Sequence, residues 1–255
     1  MANDWGVEEA HKRWERHAEE IASTYRLQGD RSREMLLNPV ILEYLSVVRQ
    51  KKVLDIGCGE GYLSRMLASE GASVVAVDYS RKMIEIAQER TPPDTQIEYL
   101  LGDCQDMGFF GESFDIVVAN MVMQDLPEYE AVLREVFRVL VPGGKFVFSI
   151  LHPCFMAPEG EWVRDEKGER LYWKMDRYFD ETVFPQRYPI GAEDGVLQFH
   201  RTLSSYYNAT RRAGFDVEAI AEPKPSDEML VKYREWRDDL RICHFLVFKA
   251  WRQPG

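Results

Sequence analysis

The chain has 255 residues, 45% of them apolar, and a formal net charge of -11. That is enough apolar material for one sizeable core with additions, and the acidic balance argues against a protein built mainly to grip nucleic acid, whose phosphates call for a basic face. The opening MANDWGVEEAHKRWERH lacks an apolar signal-peptide core, no run of about 18 apolar residues occurs, and the cysteines stand singly at 58, 104, 154 and 243, so the expectation is a cytoplasmic protein with free thiols, no membrane span, no disulfide frame and no metal site.

Residues 8–28 read as a charged amphipathic helix carrying Trp14, Ile21, Tyr25 and Leu27. A second helix is expected over 32–48, broken or kinked at Pro39. Then short apolar runs alternate with helical patterns. KVLDIG is a buried strand, 61–70 a helix, SVVAVDYS a strand, RKMIEIAQER a helix, TQIEYLLGD and FDIVVANMV strands, YEAVLREVFRVL a helix stopped by VPGG, and GKFVFSIL a fifth strand. This alternation implies an α/β fold with a parallel sheet covered on both faces. Residues 152–201 then lose any clear period and are rich in aromatics, charges, Gly and Pro. LSSYYNATRRAGF reads as a helix ending at Gly214, and DVEAIAEP and CHFLVFKAWR as two last strands around a polar insertion near 223–241. The organisation expected is a single domain: a helical cap (1–49), a ligand-binding core (50–151), a lid insertion (152–201) and a C-terminal part (202–255). Both insertions follow strands, and ligands in open α/β sheets bind beyond the carboxyl ends of strands, so the insertions and the N-terminal helices are expected to cover a pocket.

The stretch VLDIGCGEG spaces its glycines, Gly57, Gly59 and Gly61, as G-x-G-x-G. A dinucleotide turn is G-x-G-x-x-G, and its third position is here Tyr62. Asp55 stands two residues before the first glycine, where a carboxylate repels a pyrophosphate and suits a cationic head. Asp78 ends the second strand, about 20 residues on, where an acid accepts hydrogen bonds from ribose hydroxyls; it could also cap the next helix. Asp103 ends the third strand. Three such acids in series suggest a ligand with a cationic end, a ribose and a base carrying an amino group, laid across the strand tips.

With these residues in place, the chain resembles the class I S-adenosylmethionine-dependent methyltransferases over about residues 50–150. VLDIGCGEG, VVAVDYS, GDCQDM, FDIVVANMVMQDL and LREVFRVLVPGGKFVFSI match five of the family's motifs in order. The resemblance implies a Rossmann-like seven-stranded sheet with an antiparallel last strand, and S-adenosyl-L-methionine as cofactor, leaving as S-adenosyl-L-homocysteine. It implies that Asp55, Gly57 and Gly59 face the methionine part, with Cys58 a small packing residue among them. Asp78 would hold the ribose, Tyr79 and Met83 the adenine ring, and Asp103 and the backbone of Cys104 the adenine edge. Asn120 and Met121 would line the sulfonium side. From the residues themselves, Tyr25, Asp30 and Arg33 are candidates to close the N-terminal lid, with Arg33 rather than Arg31 balancing the cofactor carboxylate; surface salt bridging is the alternative.

For the acceptor, NMVMQDL stands where transferases acting on adenine amines or glutamine amides carry NPPY or DPPY. That places the chain with the small-molecule branch, methylating oxygen or nitrogen by in-line displacement; a tRNA or protein methyltransferase and a non-catalytic cofactor-binding partner subunit are the alternatives. His152, in SILHPCF, is expected at the carboxyl end of the fifth strand as a base or donor, or else as a hydrogen-bonded strand-end residue. A bacterial subgroup resembling this chain also carries HPCF there. Asp125 could orient the acceptor or cap the following helix. Gln124, Tyr178, His200 and Arg201 are candidate acceptor-binding residues, whereas His11 and His17 are expected in solvent. Lys174, Arg177 and Arg187 are interleaved with acids, too thin a basic track for stacked nucleic-acid bases.

Overall fold

The computed structural model describes residues 5–156, 158, 160–186 and 195–254; Arg187, one of the basic residues noted above, lies outside them. The first helix, α1 (Val7–Ser23), is shorter than its periodicity suggests. The Ser23 and Thr24 hydroxyls bond back to the Glu20 and Ile21 carbonyls, and Arg26 and Gly29 exchange backbone hydrogen bonds across a tight turn, Gly29 at φ 87. The break expected at Pro39 is a π-helical turn, Arg33–Leu37, running into α2 (Asn38–Leu45). Pro39 falls in the first turn of α2, where its missing N–H costs nothing.

The core alternates as the apolar runs require: β1 (Lys52–Ile56), α3 (Tyr62–Ser69), β2 (Ser73–Asp78), α4 (Arg81–Arg90), β3 (Ile97–Leu101), β4 (Phe114–Asn120), α5 (Tyr129–Val139) and β5 (Leu140–Leu151). VPGG does not separate α5 from its strand. Leu140 already pairs with Phe114, and the register then jumps to Ile116 opposite Lys145, so Val141–Gly144 bulge out of the edge of β5. Gly144 fits there because a Cβ would lie 2.8 Å from the Val141 carbonyl oxygen.

The aperiodic stretch holds two short hairpins, β6 (Glu161–Arg164) with β7 (Arg170–Lys174), and β8 (Val183–Gln186) with β9 (Val196–Phe199). The chain finishes with α6 (Leu203–Arg212), β10 (Phe215–Ala221), α7 (Asp227–Lys232), a 3-10 turn (Arg234–Leu240) and β11 (Phe245–Arg252). The seven-stranded sheet runs β10-β11-β5-β4-β1-β2-β3, with β11 antiparallel to both neighbours. One face packs on α5 and α6 through Val132, Leu133, Val136 and Tyr206. The other packs on the π-helical turn, α2 and α3 through Leu37, Ile41, Leu63 and Leu67. A third apolar cluster joins the cap to the lid: Ala18, Ile21 and Ala22 of α1 meet Met83 of α4 and Val196 of β9. The cap and the lid, far apart in sequence, therefore close over the same strand tips. The second insertion braces this closure from outside: Arg31 in the cap loop pairs with Glu235 and lies over the Tyr233 ring.

Candidate active site

The β1–α3 turn is built by its glycines. Gly57, Gly59 and Gly61 have φ of 63, 55 and 80, which only glycine adopts without strain. A Cβ on Gly57 would sit 2.5 Å from Val122 Cγ2, and one on Gly61 2.5 Å from the Tyr99 hydroxyl, whereas one on Gly59 would meet open space. Asp55, near the end of β1, is 1% exposed and accepts a 2.6 Å hydrogen bond from Ser64 Oγ of α3. Burial lifts its carboxyl to about 7, and the nearby Asp78 charge adds to the shift. Asp78 itself staples the turn, accepting the Gly59 N–H at 2.8 Å and the Ser80 N–H at 2.9 Å. Burial raises its pKa while these N–H groups oppose the rise. Ionised oxygens each accept more than one bond, so Asp78 keeps capacity for a ligand hydroxyl.

These tips open into a cavity of about 940 Å³, mouth included. Tyr79, Met83 and Cys104 line one side of it, Asn120 and Met121 another, and Ala10, His11 and Trp14 of α1 form its roof. Glu60 also lines it: its buried carboxylate is held through Oε2 by Arg65 at 2.6 Å and Arg90 at 2.9 Å, leaving buried Oε1 with no hydrogen-bond partner. The two arginines answer the Glu60 charge, while Asp55 and Asp78 on one wall fit a cationic, hydroxyl-bearing ligand such as S-adenosylmethionine and repel a diphosphate. His11, expected in solvent, stacks instead on Tyr79 with ring centroids 3.3 Å apart. Desolvation lowers its pKa, with Asp103 pulling the other way.

A second cavity of about 600 Å³, its open mouth included, adjoins the first, and the two share Trp14, Ile21, Tyr25, Arg33, Met121 and Asp125. Its far wall comes from the ends of β5 and β11 and from the lid: Leu151, Phe245, Gln186 and Val196. Met121 sits at the partition in a left-handed conformation, φ 62. That is costly for a side chain with a Cβ, and it is held by bonds from the Met121 N–H to the Ser149 carbonyl (3.1 Å) and hydroxyl (2.9 Å). Asn120 is locked beside it, accepting from Ser149 Oγ at 2.6 Å and donating to the Tyr62 hydroxyl, which donates to Asn38 at 3.1 Å.

Every residue expected at the cofactor lines the first cavity except Asp103, which lies in a shallow neighbouring depression with Glu15, Tyr79 and Arg81. Asp125 lines both cavities and Gln124 the second. Burial drives the Asp125 carboxyl well above the carboxylate range, against Arg33 and Arg201. The other candidates point elsewhere. His152 is 3% exposed and lines neither cavity. Its Nε2 bonds to Glu222 at 2.9 Å, and its Nδ1 accepts the Cys154 N–H at 3.1 Å, so it ties the end of β5 to the end of β10. Tyr178 and His200 serve each other and the start of α6: His200 Nε2 donates to the Tyr178 carbonyl at 2.8 Å, and the Tyr178 hydroxyl accepts from the Leu203 N–H at 2.9 Å. Arg201 is buried under the β4–α5 loop, donating to the carbonyls of Met123 (3.3 Å), Leu126 (2.6 Å) and Pro127 (2.9 Å) and stacking over Tyr129 at 4.1 Å. It holds the loop that carries Gln124 and Asp125 rather than meeting a ligand. Sequence reasoning missed Trp14, Glu60, Leu151 and Phe245; of these only Glu60, inside the glycine turn, carried a local signal.

Among the described residues no cluster of His, Cys, Asp and Glu could hold a metal ion, and no helix is long and apolar enough to cross a membrane. A family described as "Methyltransferase domain" matches residues 54–148. The ubiquinone biosynthesis O-methyltransferase of Coxiella burnetii (strain RSA 493 / Nine Mile phase I) is 32% identical over 186 residues, covering 71% of this chain and 79% of that protein. The enzyme of the same name from Xanthomonas oryzae pv. oryzae is 34% identical over 180 residues, covering 69% and 75%. The crystal structure of an S-adenosylmethionine-dependent methyltransferase from Mesorhizobium loti superposes with a TM-score of 0.75 at 34% identity, covering 84% of this chain and 96% of that one.

Proposed function

The chain belongs to the class I S-adenosylmethionine-dependent methyltransferases, and from that premise we propose that it methylates an oxygen or nitrogen of a small molecule held in the second cavity. The observation that carries this reading is the second cavity itself, enclosed by cap, lid and the ends of β5 and β11, and joined to the first across Met121 and Asp125. Relatives named for ubiquinone biosynthesis support a small-molecule acceptor. A macromolecular acceptor has less support: in the lid, Lys174 and Arg177 pair with Glu161 (3.7 Å) and Asp180 (2.7 Å) instead of forming a basic track.

When bound, S-adenosylmethionine supplies an electrophilic methyl group on a sulfonium. Asp55 would supply negative charge at the glycine turn for its methionine end, Asp78 would accept from its ribose, and Tyr79, Met83 and Cys104 would offer apolar contact to its base. The fixed backbone of Asn120 and Met121 sets where the two ligands meet, and holding that alignment is itself worth much of the rate. Asp125 is the candidate proton acceptor. It borders both cavities, and burial raises its carboxyl, which makes it a stronger base than an ordinary carboxylate. An acceptor atom that took the methyl group, while the methyl–sulfur bond broke and the thioether product left, would pass its proton to the Asp125 carboxylate. His152 has no part in this reading, because both its ring nitrogens are engaged away from the cavities. A metabolite screen with methyl-labelled cofactor tests the reaction. Asp125→Asn should keep cofactor affinity and slow transfer by about a hundredfold or more; undiminished transfer removes Asp125 from this role.

A further inference from the structure

The polar groups behind the border of the two cavities form one chain with a single direction. It ends in the cap loop, where Asn38 Nδ2 donates to the Gln28 carbonyl at 2.8 Å. A carbonyl can only accept, so Asn38 turns its Oδ1 to the Tyr62 hydroxyl, 3.1 Å away, and Tyr62 must donate to it. The Tyr62 oxygen is left to accept from Asn120 Nδ2. That orients the Asn120 amide, whose Oδ1 takes the proton of Ser149 Oγ at 2.6 Å. Ser149 Oγ in turn accepts the Met121 N–H at 2.9 Å. Five hydrogen bonds thus run head to tail, from an N–H that can only donate to a carbonyl that can only accept, and no member can reverse alone. Asn38, Tyr62 and Ser149 are buried, so water is not at hand to replace a lost partner. Asn38 and Ser149 line neither cavity, whereas Tyr62, Asn120 and Met121 line the first, and Met121 the second as well. The cap loop also leans on the Tyr62 ring: Tyr25 meets it edge-on with centroids 5.8 Å apart, and a Cβ on Gly29 would lie 3.1 Å from Tyr62 Cζ.

We infer that Tyr62 and Asn38 are positioning residues that make the seating of the cap loop and the left-handed turn at Met121 one event, so that the border between the cavities is set from the cap. The chemistry of the chain gives the reason. Without the Tyr62 hydroxyl the Asn120 amide can turn over and present Nδ2 to Ser149 Oγ. The Ser149 proton is then driven toward the Met121 N–H, which loses an acceptor. Met121 holds its φ of 62 against strain, and it relaxes when that acceptor goes. The same loss frees Asn38 Oδ1 and, through it, the hold on Gln28. The bearing of this coupling on methyl transfer rests on the second cavity being the acceptor site; the coupling itself does not.

The test reads both ends of the chain in the full-length protein by NMR amide exchange. One probe is the Met121 N–H. The other is the buried Gly29 N–H, which shares a peptide plane with the Gln28 carbonyl. Asn38→Leu cuts the chain at the cap and should speed Met121 exchange about tenfold, with Val118 in the same strand unchanged. Ser149→Ala cuts it at β5 and should speed Gly29 exchange about threefold or more. Tyr62→Phe keeps the ring and should do both, so any one variant that folds poorly leaves two to read opposite ends. Calorimetry with S-adenosylhomocysteine should show Asn38→Leu binding about tenfold more weakly, although Asn38 lines neither cavity. Effects confined to amides beside each substituted residue, with Met121 unmoved by Asn38→Leu and Gly29 unmoved by Ser149→Ala, overturn the coupling. Unchanged S-adenosylhomocysteine affinity in Asn38→Leu overturns the positioning role. Neither readout uses an acceptor, so a metabolite screen that finds none would remove the acceptor reading and leave the coupling standing.

Discussion

Replacing Asp55 by asparagine tests the electrostatics of the glycine turn. Asp55 is almost wholly withdrawn from water and has Ser64 Oγ as its hydrogen-bond donor. Its carboxyl rises from the ordinary 3.8 to about 7, chiefly through desolvation. The folded state thus holds this proton more tightly than the unfolded chain, so the associated stability is complete below about pH 4 and lost as pH rises toward 7. At about 1.4 kcal/mol per pH unit, the interval from 3.8 to about 7 bounds the loss at about 4 kcal/mol. Asparagine mimics the protonated acid and never ionises. Without cofactor, Asp55→Asn should match the wild type at pH 4 and exceed its stability at pH 8, by up to that bound. Asp78 and Asp125 are raised in the same direction and remain in both proteins, so the difference in slope isolates Asp55. Urea unfolding at pH 4, 6 and 8 reads the effect. Calorimetry should show the same variant losing cofactor affinity, and the wild type releasing protons on binding near pH 6 as the cationic head stabilises the carboxylate. If Asp55→Asn is no more stable than the wild type at pH 8, burial is not what governs this acid and the argument fails.

The glycines separate two roles. Gly57→Ala should cost about 3 kcal/mol in unfolding free energy, since a strained φ is joined by a 2.5 Å approach to Val122, whereas Gly59→Ala should cost about 1 kcal/mol yet weaken cofactor binding tenfold or more, its methyl entering the cavity; the opposite order would show that the turn faces another way. Arg201→Met should lower stability by about 3 kcal/mol through the released carbonyls of Met123, Leu126 and Pro127, while cofactor affinity holds. A change confined to acceptor KM would return Arg201 to the binding site. His152→Ala should reduce stability by about 1–2 kcal/mol with cofactor binding and turnover retained, and a hundredfold fall in kcat in a fully folded sample would restore its catalytic role.

The sheet was legible because β1, β2, β4 and β5 are buried on both faces and so appear as continuous apolar runs between helical patterns. The cofactor side was legible for a related reason: Asp55 and Asp78 fall at strand ends, and a strand end fixes a position in an α/β sheet without any knowledge of side-chain contacts. The lid was opaque. Its hairpins have strands of four or five residues, and β6 and β7 bury neither face well, so no period of two develops. Direction was the second failure. His152, His200 and Arg201 sit beside the pocket in sequence, but their side chains leave it for Glu222, the Tyr178 carbonyl and the β4–α5 loop, and nothing local in the sequence encodes that. His11 failed for the converse reason, since a charged helix face reads as solvent until Tyr79 is known to lie against it.

The partition between the two cavities has an evolutionary consequence. Met121, one of the residues the two cavities share, has its backbone fixed by Ser149 on β5. The glycine turn lies on one side of it, and Gln186, Val196 and Phe245 lie on the other. Exchanges at Gln186 and Phe245 can reshape the second cavity without touching the first. Val196 is less free, because it also packs against α1 and Met83. On the proposed reading, a lineage built on this scaffold can change what it methylates through a few lid and strand-end substitutions, while the residues that would present the methyl group are inherited intact.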